Sequence, residues 1–282
     1  MNSKFVLDGE LLESDEINLS PSSLALAYGY GVFETIKFLE RQPCFFREHL
    51  ERLEIASQVS GLLHGFSREE VSLFVETLLG SSPFESGIFK IIVFRDADRS
   101  RVLLFIRSPQ NASPKQDLRL RVSDVVQPSE AFTTKHKTTN YLENWLQFQA
   151  AQNHGYDECL FLNEFGKVCE CSMSNLFFRK NGILNTPHLD CGLLNGVVRS
   201  KIIQLCQEDG MIVNEGAFAL SEVLQGDAVY LTNSGMGITS VSEIDAGENS
   251  VLFEGGGRLL HRLNELYAAL ETKSRDNWKN GL

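Results

Sequence analysis

The stretch 134–145, TKHKTTNYLENW, places Lys135 and Lys137 directly ahead of an amphipathic segment. Apolar residues recur along one face of 139–153, which predicts a helix whose core side carries Leu142, Trp145, Leu146 and Gln149. A lysine held rigidly at the start of a helix can be desolvated, which lowers its pKa and makes it a nucleophile and a later general base. In an extended segment both lysines face the same side, so spacing alone leaves either as the reactive one. Taken alone, such a pair is more often two solvated lysines.

Glu170 lies in the stretch 168–178, VCECSMSNLFF, among apolar and small neighbours that predict a buried strand. A buried carboxylate needs a partner, because leaving it charged and alone is costly. The protonated nitrogen of a bound pyridine ring would be such a partner. An arginine that forms a structural salt bridge with Glu170 is the alternative. Phosphate donors are available as well. Arg52 can bind a phosphate bidentately, the segment 196–198 opens a predicted helix, and the glycine-rich turn 232–235 offers hydroxyl, amide and backbone donors.

An amine, a buried acid, phosphate donors and apolar ring walls are the four parts that a pyridoxal phosphate (PLP) site needs. Each part taken alone is a weak signal, since helix starts and glycine turns without a ligand are common. Their occurrence in one chain indicates a lysine that carries PLP as a Schiff base.

Composition and charge describe a globular chain of 282 residues with 43% hydrophobic residues. The net charge of -11 disfavours nucleic-acid and anionic membrane surfaces, because phosphate contacts need clustered lysines and arginines. No apolar stretch has the length of a signal peptide core or a membrane span, so the cytoplasm is the expected location. The six cysteines lack a C-x-x-C pair and are expected to be reduced packing residues. Cys169 and Cys171 flank Glu170 without the spacing of a metal site, so no metal is predicted.

The first part of the chain predicts a small α/β domain over 1–112. Strands are predicted at 4–7, 32–39 and 44–46, followed by a helix over 47–62 whose core side carries Leu50, Leu53, Ile55, Val59 and Leu62. Ser67 predicts the N-cap of a further helix. The segments 89–95 and 101–107 predict a hairpin. The Ser/Pro/Asn-rich stretch 108–117 predicts a linker.

The remainder, 113–282, predicts a larger domain. After a strand and the helix over 139–153, four short strands within 158–185 predict a β meander. A helix over 196–210 is expected to bury Val197, Ile202, Leu205 and Cys206. A final helix over 258–270 is expected to bury Leu259, Leu263, Leu266 and Leu270.

The chain resembles the class IV aminotransferases, the fold type IV PLP enzymes that include branched-chain and D-amino acid aminotransferases and 4-amino-4-deoxychorismate lyase. The resemblance runs over nearly the whole chain. It is carried by YGYGVFET (28–35), EHLERL (48–53), KTTNYL (137–142), ECSMSNLFF (170–178), LNTP (184–187), LLNGVVR (193–199) and TNSGMGITSV (232–241).

The resemblance implies that Lys137, rather than Lys135, holds PLP and that Glu170 faces the pyridine nitrogen. It implies that Tyr141 hydrogen-bonds the phenolic oxygen, that Leu194 packs on the ring, and that the phosphate contacts are Arg52, Val197, Val198 and Ser234, with Asn233 in the same glycine-rich turn. The implied fold is α+β, with a small N-terminal α/β domain and a larger pseudo-barrel domain. A homodimer that acts on a small amine or amino acid is also implied.

The motifs lean towards 4-amino-4-deoxychorismate lyase, which eliminates pyruvate and gives 4-aminobenzoate, because TNSGMGI is most similar to that enzyme's Thr-Asn-Ser-x-x-Gly-Ile. A branched-chain or D-amino acid aminotransferase is the alternative, although Ile88-Phe89-Lys90 stands where the branched-chain enzymes have Tyr-x-Arg. A non-catalytic PLP-fold binding protein is a third, more remote hypothesis. Candidate substrate contacts are Tyr28, Phe33, Thr35, Arg95, Arg99 and Arg101.

Overall fold

The computed structural model describes residues 4–63, 65–107, 115–247 and 249–279, which form two compact units. The first unit contains the described residues of 4–107, together with His136–Asn140 and residues 270–279. The second contains 115–135 and the described residues of 141–269. The predicted domain boundary between residues 112 and 113 lies outside the described residues.

The first unit is an antiparallel sheet covered on one face by helices. Its strands and helices are β1 Lys4–Leu7, β2 Glu10–Glu13, α1 Leu24–Tyr28, β3 Gly31–Leu39, β4 Gln42–Pro43, α2 Phe46–Val59, α3 Arg68–Gly80, β5 Gly87–Asp96 and β6 Arg99–Arg107. The strand order is β2-β1-β6-β5-β3-β4. Because side chains alternate along a strand, Val32, Glu34 and Ile36 share one face of β3, while Phe33 and Thr35 share the other. Val32 and Ile36 belong to the core that includes Leu50 of α2 and Val75 of α3.

The predicted strand at 44–46 is wrong, because Phe46 already begins α2. Phe45 has a φ of 51°, and this left-handed residue turns the chain from β4 into the helix. The predicted core side of α2 is wrong in part. Ile55 and Val59 are each 57% exposed, whereas the buried residues are Phe46, His49, Leu50, Leu53, Ala56 and Ser57. The apolar residues of α2 lie on two faces, and the sheet covers the face that also carries a histidine.

The second unit is built around a larger mixed sheet. Its elements are β7 Leu118–Val126, α4 Phe132–Lys135, α5 Leu142–Asn153, β8 Glu158–Leu162, β9 Val168–Cys171, β10 Asn175–Lys180, β11 Ile183–Pro187, a 3₁₀ turn Leu189–Cys191, α6 Val197–Glu208, β12 Val213–Gly216, α7 Leu220–Leu224, β13 Ala228–Asn233, β14 Gly237–Asp245, β15 Ser250–Leu252 and α8 Gly257–Asp276. The helix α8 continues into the first unit from residue 270.

The connection between β9 and β10 explains why this sheet curls. The strand order is β12-β11-β10-β13-β14-β7-β8-β9, with β15 beside β14, so β9 is an end strand and four strands separate it from β10. Only residues 172–174 join these two strands in sequence, so the sheet bends back on itself into a half-barrel. The predicted meander is therefore wrong in its pairing, because β8–β9 and β10–β11 are separate hairpins. The strand β10 pairs with β13 instead of β9.

The helix after the lysines differs from its prediction. It begins at Leu142, whereas Thr138 forms an isolated β-bridge with Val32. Its predicted core residues are exposed, with Leu142 at 69%, Trp145 at 47% and Leu146 at 48%, and Ala151 is the buried residue of α5. An amphipathic pattern locates an apolar stripe but does not state what covers it.

Other helix predictions agree more closely with the structure. The helix α6 buries Val197, Ile202, Leu205 and Cys206, as expected. In α8 the buried apolar residues are Leu260, Leu263 and Tyr267, so only Leu263 of the predicted set is fully buried. All six cysteines lie among the described residues and are buried free thiols. None of the helices in the described part of the chain is long and apolar enough to cross a membrane.

The N-cap of α3 supplies a stability test. Ser67 Oγ accepts from the Glu70 backbone N–H at 3.2 Å, and the Glu70 side chain accepts from the Ser67 N–H at 2.8 Å, as in a capping box. We expect Ser67→Ala to lower the free energy of unfolding by about 1 kcal/mol in urea denaturation. Thr77→Ala, at an exposed position of the same helix, is the control and should leave stability unchanged or slightly raised. Equal losses in both variants would contradict the role of the cap.

Candidate active site

The segment that carries Lys137 is tied to the edge of β3. The Phe33 N–H donates to the Lys137 carbonyl and the Thr139 N–H donates to the Gly31 carbonyl, each at 2.8 Å, so Thr138 pairs with Val32 as an antiparallel bridge. Alternation then places Lys137 on the same side as Phe33, away from the core face of β3. The backbone position of the lysine is therefore set by sheet pairing rather than by a helix.

Two glycines of the YGYGVFET motif let this segment approach. Gly29 has a φ of 62°, and a Cβ there would lie 2.5 Å from Asn140 Oδ1. A Cβ on Gly31 would lie 2.9 Å from Thr139 Oγ1. In return, Thr139 Oγ1 and Asn140 Nδ2 donate to the Gly29 carbonyl at 2.6 and 3.0 Å. The glycines of one motif thus fit the residues that follow Lys137 in another.

The two candidate lysines have different surroundings. Lys137 is half-buried, and its Nζ lies 4.7 Å from the centre of the Phe33 ring. Lys135 ends α4, is exposed, and pairs with Glu130 at 2.6 Å. A desolvated amine against an aromatic ring fits a reactive lysine better than an exposed amine in an ion pair. These surroundings favour Lys137.

A second lysine faces the same ring. The β3–β5 register pairs Thr35 with Lys90, so Phe33, Thr35 and Lys90 share a face of the sheet. Lys90 Nζ lies 4.4 Å from the Phe33 ring centre, and Lys90 has no hydrogen bond or ion pair with another described residue. Burial lowers the pKa of Lys90, and the charge of Arg107 lowers it further. A half-buried cation without an anion is a suitable partner for an anionic ligand.

Arg52 projects from α2 into a buried polar cluster of the first unit. Its Nε donates to Glu34 Oε1 and its Nη2 donates to Glu34 Oε2, both at 2.7 Å, in a bidentate pair. His49 Nδ1 lies 2.7 Å from Glu34 Oε2, and since the ionised carboxylate can only accept, Nδ1 carries the hydrogen. Arg52 is thus held in one orientation by the Glu34 carboxylate.

The charges of this cluster determine its pKa values. Burial alone would raise the pKa of Glu34, but the charges and hydrogen bonds of Arg52 and His49 outweigh it and lower that pKa to about 2. Burial, together with the charge of Arg52, lowers the pKa of His49, although the Glu34 carboxylate raises it. Glu34 is therefore ionised at neutral pH, and Arg52 keeps its pair.

In the second unit, Glu170 is buried at the end of β9 within a set of donors. Asn175 Nδ2 donates to Oε2 at 2.9 Å, while the Leu194 N–H and Gln127 Nε2 donate to Oε1 at 3.2 and 3.4 Å. Asn175 Nδ2 also donates to the Leu194 carbonyl at 2.9 Å, which connects the acid to the segment before α6. These donors orient the carboxylate.

Phosphate donors lie close to Glu170 in this unit. Gly196 is the N-cap of α6, and a Cβ there would lie 2.0 Å from Asn175 Oδ1, so only glycine brings the helix start this near. Val197 and Val198 then present the first N–H groups of the helix. The β10–β13 register pairs Asn175 with Thr232. Thr232 Oγ1 is buried and has no hydrogen-bond partner among the described residues.

Tyr141 and Asn233 both reach the turn that follows Glu170. The Tyr141 hydroxyl donates to the Ser172 carbonyl at 2.7 Å, and Asn144 Nδ2 donates to the same carbonyl at 3.2 Å. The Tyr141 hydrogen can therefore move to another acceptor without leaving that carbonyl unpaired. Asn233 Nδ2 donates to the Met173 carbonyl at 3.3 Å.

The residues present fit PLP. A buried carboxylate with oriented donors suits a protonated ring nitrogen, and a helix start beside an unsatisfied threonine hydroxyl suits a phosphate. In the first unit, the half-buried Lys137 is an amine of the kind that such a site requires. Within each unit the predicted residues occur together, with Lys137 near Phe33 in the first and Glu170 near Leu194 in the second.

Most of the predicted substrate contacts lie elsewhere in the first unit. Arg101 pairs with Asp8 at 2.7 Å and with Asp96 at 3.5 Å. Arg95 donates to the Gly61 carbonyl at 2.8 Å, on the face of the sheet that α2 covers. Two further candidates are exposed, namely Arg99 at the start of β6 and Tyr28 at the end of α1.

Sequence reasoning missed several residues that shape the site. Asn175 lies in the quoted ECSMSNLFF motif, and Glu34 in the quoted VFET motif, but neither received a role. Asn175 could have been noticed because a buried acid needs donors. Lys90 was noticed only as a departure from Tyr-x-Arg, since its position beside Phe33 depends on strand register.

The Glu34 cluster predicts a pH dependence. The folded pKa of about 2 lies below the ordinary value of 4.5, so ionised Glu34 stabilises the fold above pH 4.5, and this contribution is lost as the pH falls towards 2. The shift corresponds to about 3 kcal/mol. We expect Glu34→Gln to be less stable at neutral pH and to lose less stability on acidification, as measured by urea unfolding across that range. Glu54→Gln, which breaks a half-buried surface pair with Arg68, is the control. A wild-type acid slope in Glu34→Gln would contradict the assignment.

Known proteins resemble this chain over most of its length. The sequence profile of the family described as Amino-transferase class IV matches residues 31–244. Aminodeoxychorismate lyase of Bacillus subtilis (strain 168) is 27% identical over 289 residues, covering 97% of this chain and 98% of the relative. D-alanine aminotransferase of Listeria monocytogenes serotype 4b is 25% identical over 255 residues, covering 86% and 88%. The crystal structure of the branched-chain aminotransferase of Thermoproteus uzoniensis with norvaline has a TM-score of 0.87 at 25% identity, covering 99% of this chain and 97% of that one.

These similarities confirm the predicted fold class and family. The architecture is α+β and is that of the fold type IV PLP enzymes, with a small α/β domain and a larger half-barrel domain. Members of the family are PLP-dependent aminotransferases and lyases that act on small amino acid substrates. The chain belongs to the class IV aminotransferases and is a PLP-dependent lyase or transaminase.

Proposed function

We propose that this enzyme is a 4-amino-4-deoxychorismate lyase that binds PLP through Lys137. The observation that carries the choice is the turn TNSGMGI over 232–238. Asn233 Oδ1 accepts from the Gly235 and Met236 N–H groups, both at 2.9 Å, and so closes the turn. The similarity to the Bacillus subtilis lyase along nearly the whole chain supports the same choice.

The proposed cofactor contacts come from residues of the first unit, which carries Lys137, and from those around Glu170 in the second. Glu170 meets the ring nitrogen, Tyr141 gives its hydrogen to the phenolic oxygen, and Leu194 packs on the ring. The phosphate contacts are Arg52, Val197, Val198 and Ser234, and Asn233 closes the turn that carries Ser234. Glu34 supports this arrangement by holding Arg52 in a bidentate pair.

Bound PLP acts as an electron sink for the substrate carbon that bears the nitrogen. The residues of the chain supply the rest of the chemistry. Lys137 Nζ removes the proton from that carbon, and the pairing of Thr138 with Val32 limits the directions from which the amine can act. Glu170, oriented by its donors, favours the protonated form of a ring nitrogen that faces it.

We propose Lys90, ahead of Arg95, Arg99 and Arg101, as the group that receives a substrate carboxylate. It shares the Phe33 face with Lys137 and has no anion among the described residues. Phe33 and Thr35 then line the substrate side. This arrangement differs from the Tyr-x-Arg pair of the branched-chain enzymes.

An aminotransferase is the alternative, supported by the D-alanine and branched-chain relatives.

We also propose a homodimer. The exposed face of α5, with Leu142, Trp145 and Leu146, is a large apolar surface of the kind that subunit interfaces cover. The six free thiols fit a reducing compartment such as the cytoplasm.

A PLP titration and two product assays test the proposed function. Wild type should develop a visible absorbance band with PLP that borohydride bleaches, and Lys137→Ala should not, because the covalent link needs the amine. With 4-amino-4-deoxychorismate, wild type should release pyruvate and 4-aminobenzoate, while D- or L-amino acids with 2-oxoglutarate should give no ketoacid. Lys135→Ala is the matched control and should keep the band and the activity.

The absence of a band in wild type would overturn the PLP assignment. Ketoacid formation without pyruvate release would reject the lyase in favour of the aminotransferase. Loss of the band in Lys135→Ala, with retention in Lys137→Ala, would mean that Lys135 binds PLP instead of Lys137.

Lys90 is tested by a neutral side chain of similar length. We expect Lys90→Met to raise KM at least about tenfold, since the variant loses a charge-assisted contact with the substrate carboxylate. The PLP band should be unchanged, and Lys180→Met, at the end of β10, should match wild type. A wild-type KM in Lys90→Met together with a raised KM in Arg99→Met would move the carboxylate site to the β5–β6 turn.

A further inference from the structure

The turn 172–174 connects β9, which carries Glu170, to β10, which carries the Glu170 partner Asn175. Glu170 is near the end of β9 and Asn175 begins β10, so these residues flank the turn. The Cys171 N–H donates to the Ser174 carbonyl at 2.7 Å and closes it. Any shift of the turn would therefore change the relation of Asn175 to Glu170.

The carbonyls of the turn also receive two other proposed cofactor residues. Tyr141 donates to the Ser172 carbonyl at 2.7 Å, and Asn233 donates to the Met173 carbonyl at 3.3 Å. Asn233 in turn closes the glycine-rich turn that carries Ser234. Groups proposed for the ring nitrogen, the phenolic oxygen and the phosphate thus depend on one three-residue segment.

Glu158 lies against this turn from β8 and is buried. Its Oε1 accepts from Ser172 Oγ and from the Cys159 N–H, the latter at 3.2 Å. Its Oε2 accepts from the Met173 N–H and from Ser174 Oγ, both at 3.2 Å. Each residue of the turn thus donates to the Glu158 carboxyl group. Tyr141 and Asn233 instead donate to carbonyls of the turn.

We propose that Glu158 is a positioning residue of the cofactor site, which holds the turn 172–174 and, through it, sets the positions from which Tyr141, Asn233 and Glu170 receive PLP. This inference rests on the proposed function. Glu158 itself touches none of the three groups that would meet the cofactor, so its effect is indirect.

The donor set explains why a glutamate is needed at this position. Each carboxyl oxygen faces one backbone N–H, and a backbone N–H cannot reverse to become an acceptor. A glutamine would place its NH₂ against one of these two donors, whichever way the amide turned. Burial raises the pKa of Glu158 to about 7, against the hydrogen bonds that lower it. Both protonation states keep two oxygens that accept, which glutamine does not provide.

The test uses the full chain stripped of PLP. We expect Glu158→Gln to weaken PLP binding on the order of tenfold in an absorbance titration, because one buried N–H loses its acceptor. The pH midpoint of the bound PLP band should also move, since Tyr141 is displaced. Tyr141→Phe should then weaken binding less in the Glu158→Gln background than in wild type, because the two changes act on one contact.

Val223→Ala is the control for general destabilisation. Val223 is a buried residue of α7 in the core of the same unit. This variant should lower the free energy of unfolding while leaving PLP affinity and the pH midpoint unchanged. Wild-type affinity and midpoint in Glu158→Gln, or additive effects with Tyr141→Phe, would overturn the positioning role. If wild type itself forms no band with PLP, the proposed function fails first, and the two failures are thereby distinguished.

Two milder variants keep the proposal testable if Glu158→Gln does not fold. Ser172→Ala and Ser174→Ala each remove one hydroxyl donor to the carboxylate and leave both backbone donors in place. Each variant should weaken PLP binding a few-fold. Both should move the pH midpoint of the bound PLP band in the same direction. Wild-type behaviour in both would overturn the proposal.

Discussion

A buried carboxylate must be given donors or an opposite charge, because the protein interior replaces only in part the water that the group has lost. Three of the buried glutamates among the described residues show how this requirement is met near the site. Glu34 receives Arg52 and His49, Glu170 receives Asn175 and the Leu194 N–H, and Glu158 receives the turn 172–174. Each acid therefore fixes side chains or backbone that would otherwise move. In the proposed enzyme these are the groups around PLP, so the demand for hydrogen bonds and the demand for a rigid site are met together.

The position of Lys137 follows from a different interaction. Two backbone hydrogen bonds add the lysine segment to the edge of β3, and the alternation of side chains then places Lys137 against Phe33. Gly29 and Gly31 make room for the residues that follow. The strand register brings Lys90 to the same face. The amines of Lys137 and Lys90 therefore lie near one aromatic ring. Lys137 is on a segment that is hydrogen-bonded to the edge of β3, whereas Lys90 is within β5, between two other strands of the sheet.

Much of the chain was predictable from local patterns. The strands β1, β3 and β7, the β5–β6 hairpin, the capped α3 and the core side of α6 follow from residue types and periodicity alone. The predicted core sides of two helices failed. In α2 the structure buries His49 and exposes Ile55, and in α5 it leaves Leu142 and Trp145 exposed. Periodicity identifies an apolar stripe, but the neighbour that covers it lies far away in sequence.

By itself, the sequence determined the α+β class and the family, because those depend on residue types within short motifs: the lysine before TTNYL, the acid and asparagine of ECSMSN, and the glycines of YGYG. Only the tertiary structure decided how these parts are held. The pairing of Thr138 with Val32, the approach of Lys90 to Phe33 and the hydrogen bonds that Glu158 accepts from the turn 172–174 join residues that are distant in the chain. The physical reason is that hydrogen-bond partners and burial are set by strand register and by the curl of the sheet, which no local pattern of residues specifies.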